Sequence, residues 1–168
     1  MRKIKKIFSL FWVEIIATCI FTSACKENIV FSEYRKIDVE SGWKTNQILP
    51  FQILINDTEL RYNVFIHLRN ENDYLFRNLF MFLNTHYPDK TQSIDTLECI
   101  LADERGKWLG GGMGDSYDNA ILFKQNTKFH QKGTYVFSLE QAMRYGNKNF
   151  IQPLLGITQV GISVEKAK

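Results

Sequence analysis

The stretch Tyr62-Asn63-Val64-Phe65-Ile66-His67-Leu68-Arg69-Asn70 decides the fold class of this chain. Its even-numbered positions from Tyr62 to Leu68 are all aromatic or aliphatic, whereas polar side chains occupy three of the odd-numbered positions. Residues two apart lie on the same face of a β-strand, so this alternation predicts a strand with one face in a hydrophobic core. The stretch is therefore expected to belong to a sheet that a second layer covers on one side.

The same period of two recurs along the rest of the chain, and turn-forming pairs such as Asn56-Asp57 and Pro88-Asp89 separate many of the runs. Residues 79–83 are apolar on both faces, which predicts a central strand. One segment, residues 139–145, can form a short helical turn that Gly146 would end. The predicted strands lie near residues 34–39, 49–55, 61–69, 78–84, 95–102, 106–109, 120–124, 134–141 and 158–165.

These strands predict an all-β fold: an antiparallel two-sheet sandwich, jelly-roll-like, with about eight or nine strands, after an N-terminal lipoprotein signal peptide. No internal repeat and no linker rich in Pro, Gly or Ser interrupts the sequence, so residues from about 29 to 166 are expected to form one domain. A chain of this length can bury about 68% of its unfolded surface, which is enough for a core without disulfides.

The first 24 residues have the order of a secretory signal peptide. Arg2-Lys3 and Lys5-Lys6 are positive, residues 7–21 are mostly apolar, and Thr22-Ser23-Ala24 are small. A permanent transmembrane helix fits less well, because the apolar run would rise only about 22 Å against a hydrocarbon core of about 30 Å. Glu14 also lies within the run, where an acid is costly in lipid.

Cys25 follows these small residues and precedes the polar Lys26-Glu27-Asn28, an order that resembles the lipobox of bacterial lipoproteins. In that class the signal is cut before the cysteine, which receives a diacylglycerol and an acylated amino terminus. The match departs from the usual lipobox at Thr22, where leucine is preferred. A second box at Cys19 and an ordinary secreted or structural cysteine are the alternatives. Cys25 is the predicted lipidation site, and the mature chain would consist of residues 25–168. Several acyl chains on one residue would give stable membrane anchoring.

The formal net charge of +3 belongs to this signal and not to the part that folds. The whole chain has 45% hydrophobic and 23% charged residues, which is typical of a globular protein. Removal of residues 1–24 takes away four basic residues and Glu14, which leaves 17 Lys+Arg against 17 Asp+Glu. No run of basic residues longer than two remains. The sequence therefore predicts no nucleic-acid partner.

The most unusual stretch of the mature chain is Gly110-Gly111-Gly112-Met113-Gly114-Asp115. It fits neither the phosphate-loop nor the dinucleotide pattern, so a bulge or tight loop between strands is expected. Asp115, Asp118 and Asn119 supply at most three of the roughly six to eight oxygen ligands that Ca²⁺ takes, and no metal site is predicted. The predicted loop or partner surface consists of Gly110, Gly111, Gly112, Gly114, Asp115, Tyr117, Asp118 and Asn119.

No residue pattern predicts a catalytic site or a cofactor. His67, His86 and His130 are far apart and lack the spacing of zinc ligands. The adjacent carboxylates of Asp103-Glu104 would point to opposite faces of a strand end, and no nucleophile elbow is present. Cys99 shares a strand face with leucines and is expected to be a small buried hydrophobe. The chain is therefore predicted not to be an enzyme.

A glycan-binding function is the alternative hypothesis, and it rests on three aromatic residues, Trp43, Trp108 and Tyr117. Aromatic rings stack on the apolar faces of sugars, so these side chains are candidates for a surface that binds glycan or peptidoglycan. Packing in the core or at a sheet edge is the competing interpretation.

Several strings of residues together carry a family resemblance that covers essentially the whole chain. The chain resembles the GldH gliding-motility lipoproteins of the Bacteroidetes. The strings are residues 62–70, Trp108-Leu109-Gly110 through Gly114-Asp115 with Tyr117-Asp118-Asn119, Glu140-Gln141-Ala142-Met143-Arg144, and Leu155-Gly156-Ile157 with Val160-Gly161.

The resemblance implies an envelope lipoprotein connected with gliding and with the associated secretion machinery. It implies attachment to a membrane, expected to be the outer membrane, through acyl chains such as palmitate on Cys25, and contacts with envelope proteins of that machinery. No catalytic residue is carried over from the family, and only Cys25 transfers as a functional residue.

Overall fold

The computed structural model describes residues 28–144, 146–147, 151 and 153–167. The predicted signal peptide and Cys25 lie outside these residues. Within the described part, the chain forms strands and no helix that is long and apolar enough to cross a membrane. The strands are β1 (Ile29–Lys36), β2 (Leu49–Ile55), β3 (Tyr62–Glu71), β4 (Asn78–His86), β5 (Gln92–Ile100), β6 (Gly111–Met113), β7 (Ser116–Thr127), β8 (Gly133–Gln141) and β9 (Ile157–Lys166).

Two antiparallel sheets make up the fold. The five-stranded sheet has the order β1-β9-β3-β7-β6, and the four-stranded sheet has the order β2-β8-β4-β5. When the short β6 is set aside, four strands in the order 1-9-3-7 face four in the order 2-8-4-5. This is the strand order of a jelly roll, in which the chain crosses repeatedly between the two sheets. The predicted antiparallel all-β sandwich is confirmed.

β3 illustrates why this sequence forms a sandwich. Its buried and half-buried positions alternate without a break along the strand. Three of the buried residues face buried residues of β9: Val64 faces Val164, Ile66 faces Ile162 and Leu68 faces Val160. Burial of one such side chain contributes about 1.5–3 kcal/mol, so a strand with this pattern is held firmly in its register. The four-stranded sheet covers this face with Phe51, Ile53, Ile55, Leu79, Met81, Leu83, Phe137 and Leu139.

The strand predictions near the glycine-rich stretch are wrong in their bounds. Residues 106–109 do not form a strand, since Trp108 makes only an isolated bridge with Ala102. The extended segment comes later, at β6, and β7 begins at Ser116 instead of near residue 120. β1 also begins five residues earlier than the predicted 34–39.

The predicted helical turn at residues 139–145 is also wrong as far as the structure describes it. Leu139 and Gln141 continue β8, because Leu139 pairs with Leu49 of β2 and Gln141 with Met81 of β4. Pairing on both sides leaves no freedom for a helical backbone. Tyr145 lies outside the described residues.

The two ends of the five-stranded sheet differ in what they carry. β1 begins at Ile29, beside the end of β9 and the start of β3, and we call this the N-terminal end. β3 ends at Glu71, opposite Ser116 at the start of β7, and we call this the loop end. β3 has 10 residues. The two ends are therefore about 30 Å apart.

Candidate functional site

The glycine-rich stretch forms a tight β-hairpin at the loop end. Met113 of β6 pairs with Ser116 of β7, so Gly114 and Asp115 are the two residues of the turn. Gly114 has a φ of +73°, which suits the first position of a two-residue hairpin turn and favours glycine. A Cβ atom at Gly112 would overlap the Ser116 carbonyl oxygen. The prediction of a tight loop is correct, but Gly111 and Gly112 belong to a strand.

Residues 117–119 alternate between the two faces of β7. Asp118 lies on the outer face, where its carboxylate accepts hydrogen bonds from Arg69 Nε at 2.6 Å and Nη2 at 2.9 Å. Asn119 is on the inner face and is buried. The oxygens of Asp118 and Asn119 therefore point away from each other and do not share a metal ion with Asp115 in the turn. No cluster of His, Cys, Asp or Glu in the described ranges has the geometry of a metal site.

Asn119 instead belongs to a buried polar pair that the sequence analysis missed. Its Nδ2 donates to Asn70 Oδ1 at 2.9 Å, and Asn70 is 0% exposed. The same nitrogen lies 3.4 Å from the Leu68 carbonyl oxygen, and Asn70 Nδ2 donates to the Glu71 carbonyl oxygen. Buried amides need such partners, so this pair stabilises the last paired residues of β3 and β7 at the loop end. The signal in the sequence was an asparagine at an inward-facing position.

Three aromatic side chains pack behind the hairpin. The ring centroids of Trp108 and Tyr117 are 5.7 Å apart, and those of Trp108 and Tyr74 are 6.3 Å apart. Trp108 Nε1 donates to Asn72 Oδ1 at 3.1 Å, and Asn72 N donates to the Asp115 carbonyl oxygen at 2.7 Å. Desolvation by burial raises the pKa of the Tyr74 phenol. The cluster therefore joins the connection between β3 and β4 to the hairpin.

Trp43 does not belong to this cluster, which corrects the hypothesis of a three-residue sugar surface. Trp43 is completely buried, its Nε1 donates to the Gln47 carbonyl oxygen at 2.9 Å, and its backbone pairs with Leu154. Only Trp108 and Tyr117 come together, and both are half-buried. Trp43 is a core residue in the connection between β1 and β2.

A buried glutamine holds the long connections at this end. Gln141 Nε2 donates to the Ile151 carbonyl oxygen at 2.8 Å and to Thr45 Oγ1 at 3.1 Å. Its Oε1 accepts from Met143 N at 2.9 Å. One side chain thus joins the segment before β2 to the segments that follow β8. The alternation of Tyr135, Phe137 and Leu139 places Gln141 on the same strand face, but it does not identify the partners of its amide.

Five exposed apolar side chains lie on these loop-end connections. We call them the loop-end surface: Val39, Leu75, Leu109, Met113 and Leu155. Met113 is 93% exposed and Leu75 is 88% exposed. Seven residues line a concave region of about 620 Å³ at this end, among them Val39 and Leu155.

The charge of this concave region is negative. Three of its seven lining residues are acids, Glu71, Asp73 and Asp115, and none is Lys or Arg. Grouped apolar residues with a rim of one charge are typical of protein-interaction surfaces. The predicted residues Gly110 to Asp115 are part of this end, whereas Leu75, Leu109 and Leu155 were missed because scattered loop residues carry no periodic pattern.

A second concave region lies on the outer face of the five-stranded sheet. The rings of Tyr34 and His67 are 5.3 Å apart across Gly161, which pairs with both residues. His67 Nε2 is 2.8 Å from Ser163 Oγ. Burial lowers the pKa of His67 below its ordinary value of 6.5. His67 is thus a strand-face histidine, as expected.

Cys99 is buried on the inner face of β5, as predicted. Desolvation raises the pKa of its thiol to about 12. A thiol that stays protonated is a poor nucleophile. Cys99 is therefore a packing residue.

Comparison with known proteins places this arrangement in a family. The family model described as GldH lipoprotein matches residues 29–164, which span β1 to β8 and all but the last two residues of β9. The chain belongs to the GldH lipoprotein family. It is 37% identical to the gliding motility lipoprotein GldH homolog of Christiangramia forsetii over 153 residues, with 90% of this chain and 93% of the relative covered.

The GldH lipoprotein of Flavobacterium johnsoniae is 31% identical over 153 residues, with 90% of this chain and 94% of the relative covered. Among solved structures, a family GH115 4-O-methyl-α-glucuronidase with specificity for decorated arabinogalactans is similar at a TM-score of 0.42 and 9% identity. That similarity covers 86% of this chain and 18% of the glucuronidase. Because the family model matches residues 29–164, the loop-end hairpin and the Asn70–Asn119 pair belong to a GldH-family sandwich.

Proposed function

We propose that this GldH-family protein is a non-enzymatic lipoprotein of the outer membrane that acts through protein contacts in a gliding or secretion machinery. In this proposal residues 1–24 are removed and acyl chains on Cys25 hold the mature chain at the membrane. The loop-end surface then makes the contacts. The names of two relatives, both gliding motility lipoproteins, support a role in such a machinery. The order of residues 1–28 supports the attachment to a membrane through Cys25.

The observation that carries the proposal is the position of the two ends. Cys25 is four residues before Ile29 in the sequence, and four residues of chain reach at most about 14 Å. In this proposal the anchor is therefore on the side of the N-terminal end. The loop-end surface is at the opposite end of the sheet, about 30 Å away along β3. An anchor at one end leaves the exposed side chains of Met113 and Leu75 accessible to a partner.

The charges at the loop end define the kind of partner. Glu71, Asp73 and Asp115 surround the concave region without a basic residue among its lining. Opposite charges steer association and disfavour wrong partners. We therefore expect an envelope protein that presents Lys or Arg side chains around an apolar contact.

The anchor is tested by membrane partition. Cys25→Ala is expected to abolish labelling with a radioactive fatty acid and to move the protein into the aqueous phase of a detergent separation. Cys19→Ala is the matched control and should change neither result. An unchanged partition of Cys25→Ala would refute the anchor.

The contact surface is tested by complementation of a deletion strain. Met113→Asp is expected to impair gliding or secretion while the protein remains folded and at normal abundance, because a charge replaces an exposed apolar contact. Leu54→Asp is the control, since Leu54 is a similarly exposed aliphatic residue on the outer face of the other sheet. Normal gliding and secretion in the deletion strain itself would contradict the whole proposal.

A further inference from the structure

A cavity between the two sheets, near the N-terminal end, has the composition of a ligand site. Its volume is about 410 Å³. That is within the range of about 300–1,000 Å³ that small-molecule sites occupy. It opens between β7 of one sheet and the strands β4 and β8 of the other. None of the loop-end surface residues lines it.

A buried hydroxyl at this cavity lacks a partner. Thr85 of β4 is 1% exposed and lines the cavity. Among the residues that the structure describes, its Oγ1 has no hydrogen-bond partner. Its cross-strand neighbour Ser93 is already bonded to the Tyr87 hydroxyl at 3.0 Å. Buried hydroxyls are nearly always paired, so this one is suited to bond a group that enters the cavity.

A β-bulge brings a cation to the same cavity. Phe65 of β3 pairs with Leu122 of β7, but the next residue, Val64, pairs with Lys124, so β7 carries one extra residue here. A bulge re-aims the side chains that follow it. Lys124 thus lies opposite the buried Val64 and lines the cavity, although an unbroken alternation would place it beside the outward Leu122.

Lys124 is available to an anion. Its Nζ lies 5.0 Å from the centroid of the Phe123 ring. The ion pairs within the described ranges join Arg35 to Glu33, Arg69 to Asp118 and Lys128 to Glu59, and none of them uses Lys124. A half-buried lysine whose ammonium group has no carboxylate partner can form a charge-assisted hydrogen bond with a ligand carboxylate or phosphate.

The remaining lining identifies the body of the ligand. Twelve residues line the cavity: its hydrophobic members are all aromatic, none is aliphatic, and the others are polar. One of the twelve is an acid, Asp89, and its carboxylate already accepts hydrogen bonds from Thr91 N and Gln131 Nε2. An acyl chain would be met by Leu, Ile, Val or Met side chains, whereas aromatic rings beside hydroxyl and amide groups suit a sugar. The aromatic residues are Tyr87, Phe129, Tyr135 and Phe137.

We propose that this cavity binds an anionic sugar unit, with Lys124 pairing its carboxylate or phosphate and Thr85 bonding one of its hydroxyls. Uronic acids and sugar phosphates share this chemistry. The site is independent of the loop-end surface and of the protein contacts proposed for it.

Calorimetric titration of the full-length protein in detergent tests the proposal, with glucuronic acid and glucose 6-phosphate as separate probes. At least one of them is expected to bind saturably, and glucose to bind about tenfold more weakly, because it lacks the anion. Lys124→Gln should raise the Kd about tenfold and Thr85→Val about threefold. Lys36→Gln, a basic residue of β1 that does not line the cavity, is the control and should leave the Kd unchanged.

Thr85→Val keeps the shape of the side chain and removes only the unpaired hydroxyl, so its urea midpoint should not fall. The proposal is overturned if neither acidic sugar binds saturably, or if both cavity variants bind like the wild type. Equal affinity for inorganic phosphate and glucose 6-phosphate would show an anion site without sugar recognition. Binding to phosphatidylglycerol vesicles alone would assign the site to a lipid and refute the sugar.

Discussion

Asn119→Ala tests whether the buried pair of asparagines stabilises the loop end. The substitution removes the 2.9 Å hydrogen bond to Asn70 Oδ1, and Asn70 has no access to water. A buried acceptor that loses its donor costs about 1–3 kcal/mol. For a domain of this size, a loss of about 2 kcal/mol lowers the Tm by about 4–8 °C.

A double-mutant cycle separates this hydrogen bond from packing effects. Asn70→Ala should destabilise the protein by a similar amount, whereas the double variant should cost less than the sum of the singles by about 1 kcal/mol or more, because neither side chain then leaves an unpaired partner. Urea denaturation followed by circular dichroism gives the free energies of unfolding. The matched control is Asn84→Ala on the outer face of β4, which should change the free energy by less than about 0.5 kcal/mol.

Additive single variants would refute this reasoning, because additivity would mean that Asn70 and Asn119 do not depend on each other. Single variants that cost no more than Asn84→Ala would refute it as well. The second result would show that water reaches the pair and replaces the lost hydrogen bond.

Three further predictions concern other parts of the sandwich. Gly161→Val should cost about 1–3 kcal/mol in urea denaturation, because a Cβ there meets the Tyr34 ring; a stability equal to the wild type would contradict the close contact. The pKa of His67 is lowered in the folded state, so the folded protein binds fewer protons at this residue than the unfolded chain does. The free energy of unfolding should therefore fall as the pH drops below about 6.5. A Tm measured from pH 7.5 to 5 should show this fall and His67→Gln should reduce it, whereas identical slopes would rule it out. The Cys99 thiol, with its pKa raised to about 12, should not react with a maleimide at pH 8 until urea unfolds the protein, and prompt labelling of folded protein would contradict its burial.

The fold was predictable because the alternation of apolar and polar residues is a local pattern, and it matches the alternation of buried and more exposed positions in the strands. The inner faces of β2, β3, β8 and β9 were all visible as runs of period two, and the jelly-roll order follows once they pair. The bounds near the glycines were not predictable. Glycine disfavours strands on its own, so Gly111 and Gly112 become a strand only because the turn at Gly114 returns the chain onto β7.

The candidate sites depend on features that one sequence does not display. The alternation places Asn70 and Gln141 on the inward faces of their strands, but it does not show which groups pair with their amides, and the folding of distant segments onto them decides that. Lys124 faces the cavity through a bulge, whose position depends on how β3 and β7 align. Trp43 looked similar to Trp108 in sequence, yet it is a core residue because its connection folds back onto Leu154.

Site-specific photo-cross-linking in intact cells tests most directly whether the anchored protein acts through its loop end. A photoreactive amino acid at Met113 is expected to give discrete adducts with an envelope protein, identified by mass spectrometry, and the same probe at Leu54 should not give them. Cys25→Ala should abolish the Met113 adducts, because the protein then leaves the membrane. Identical adducts from both positions, or Met113 adducts that persist in Cys25→Ala, would contradict the account.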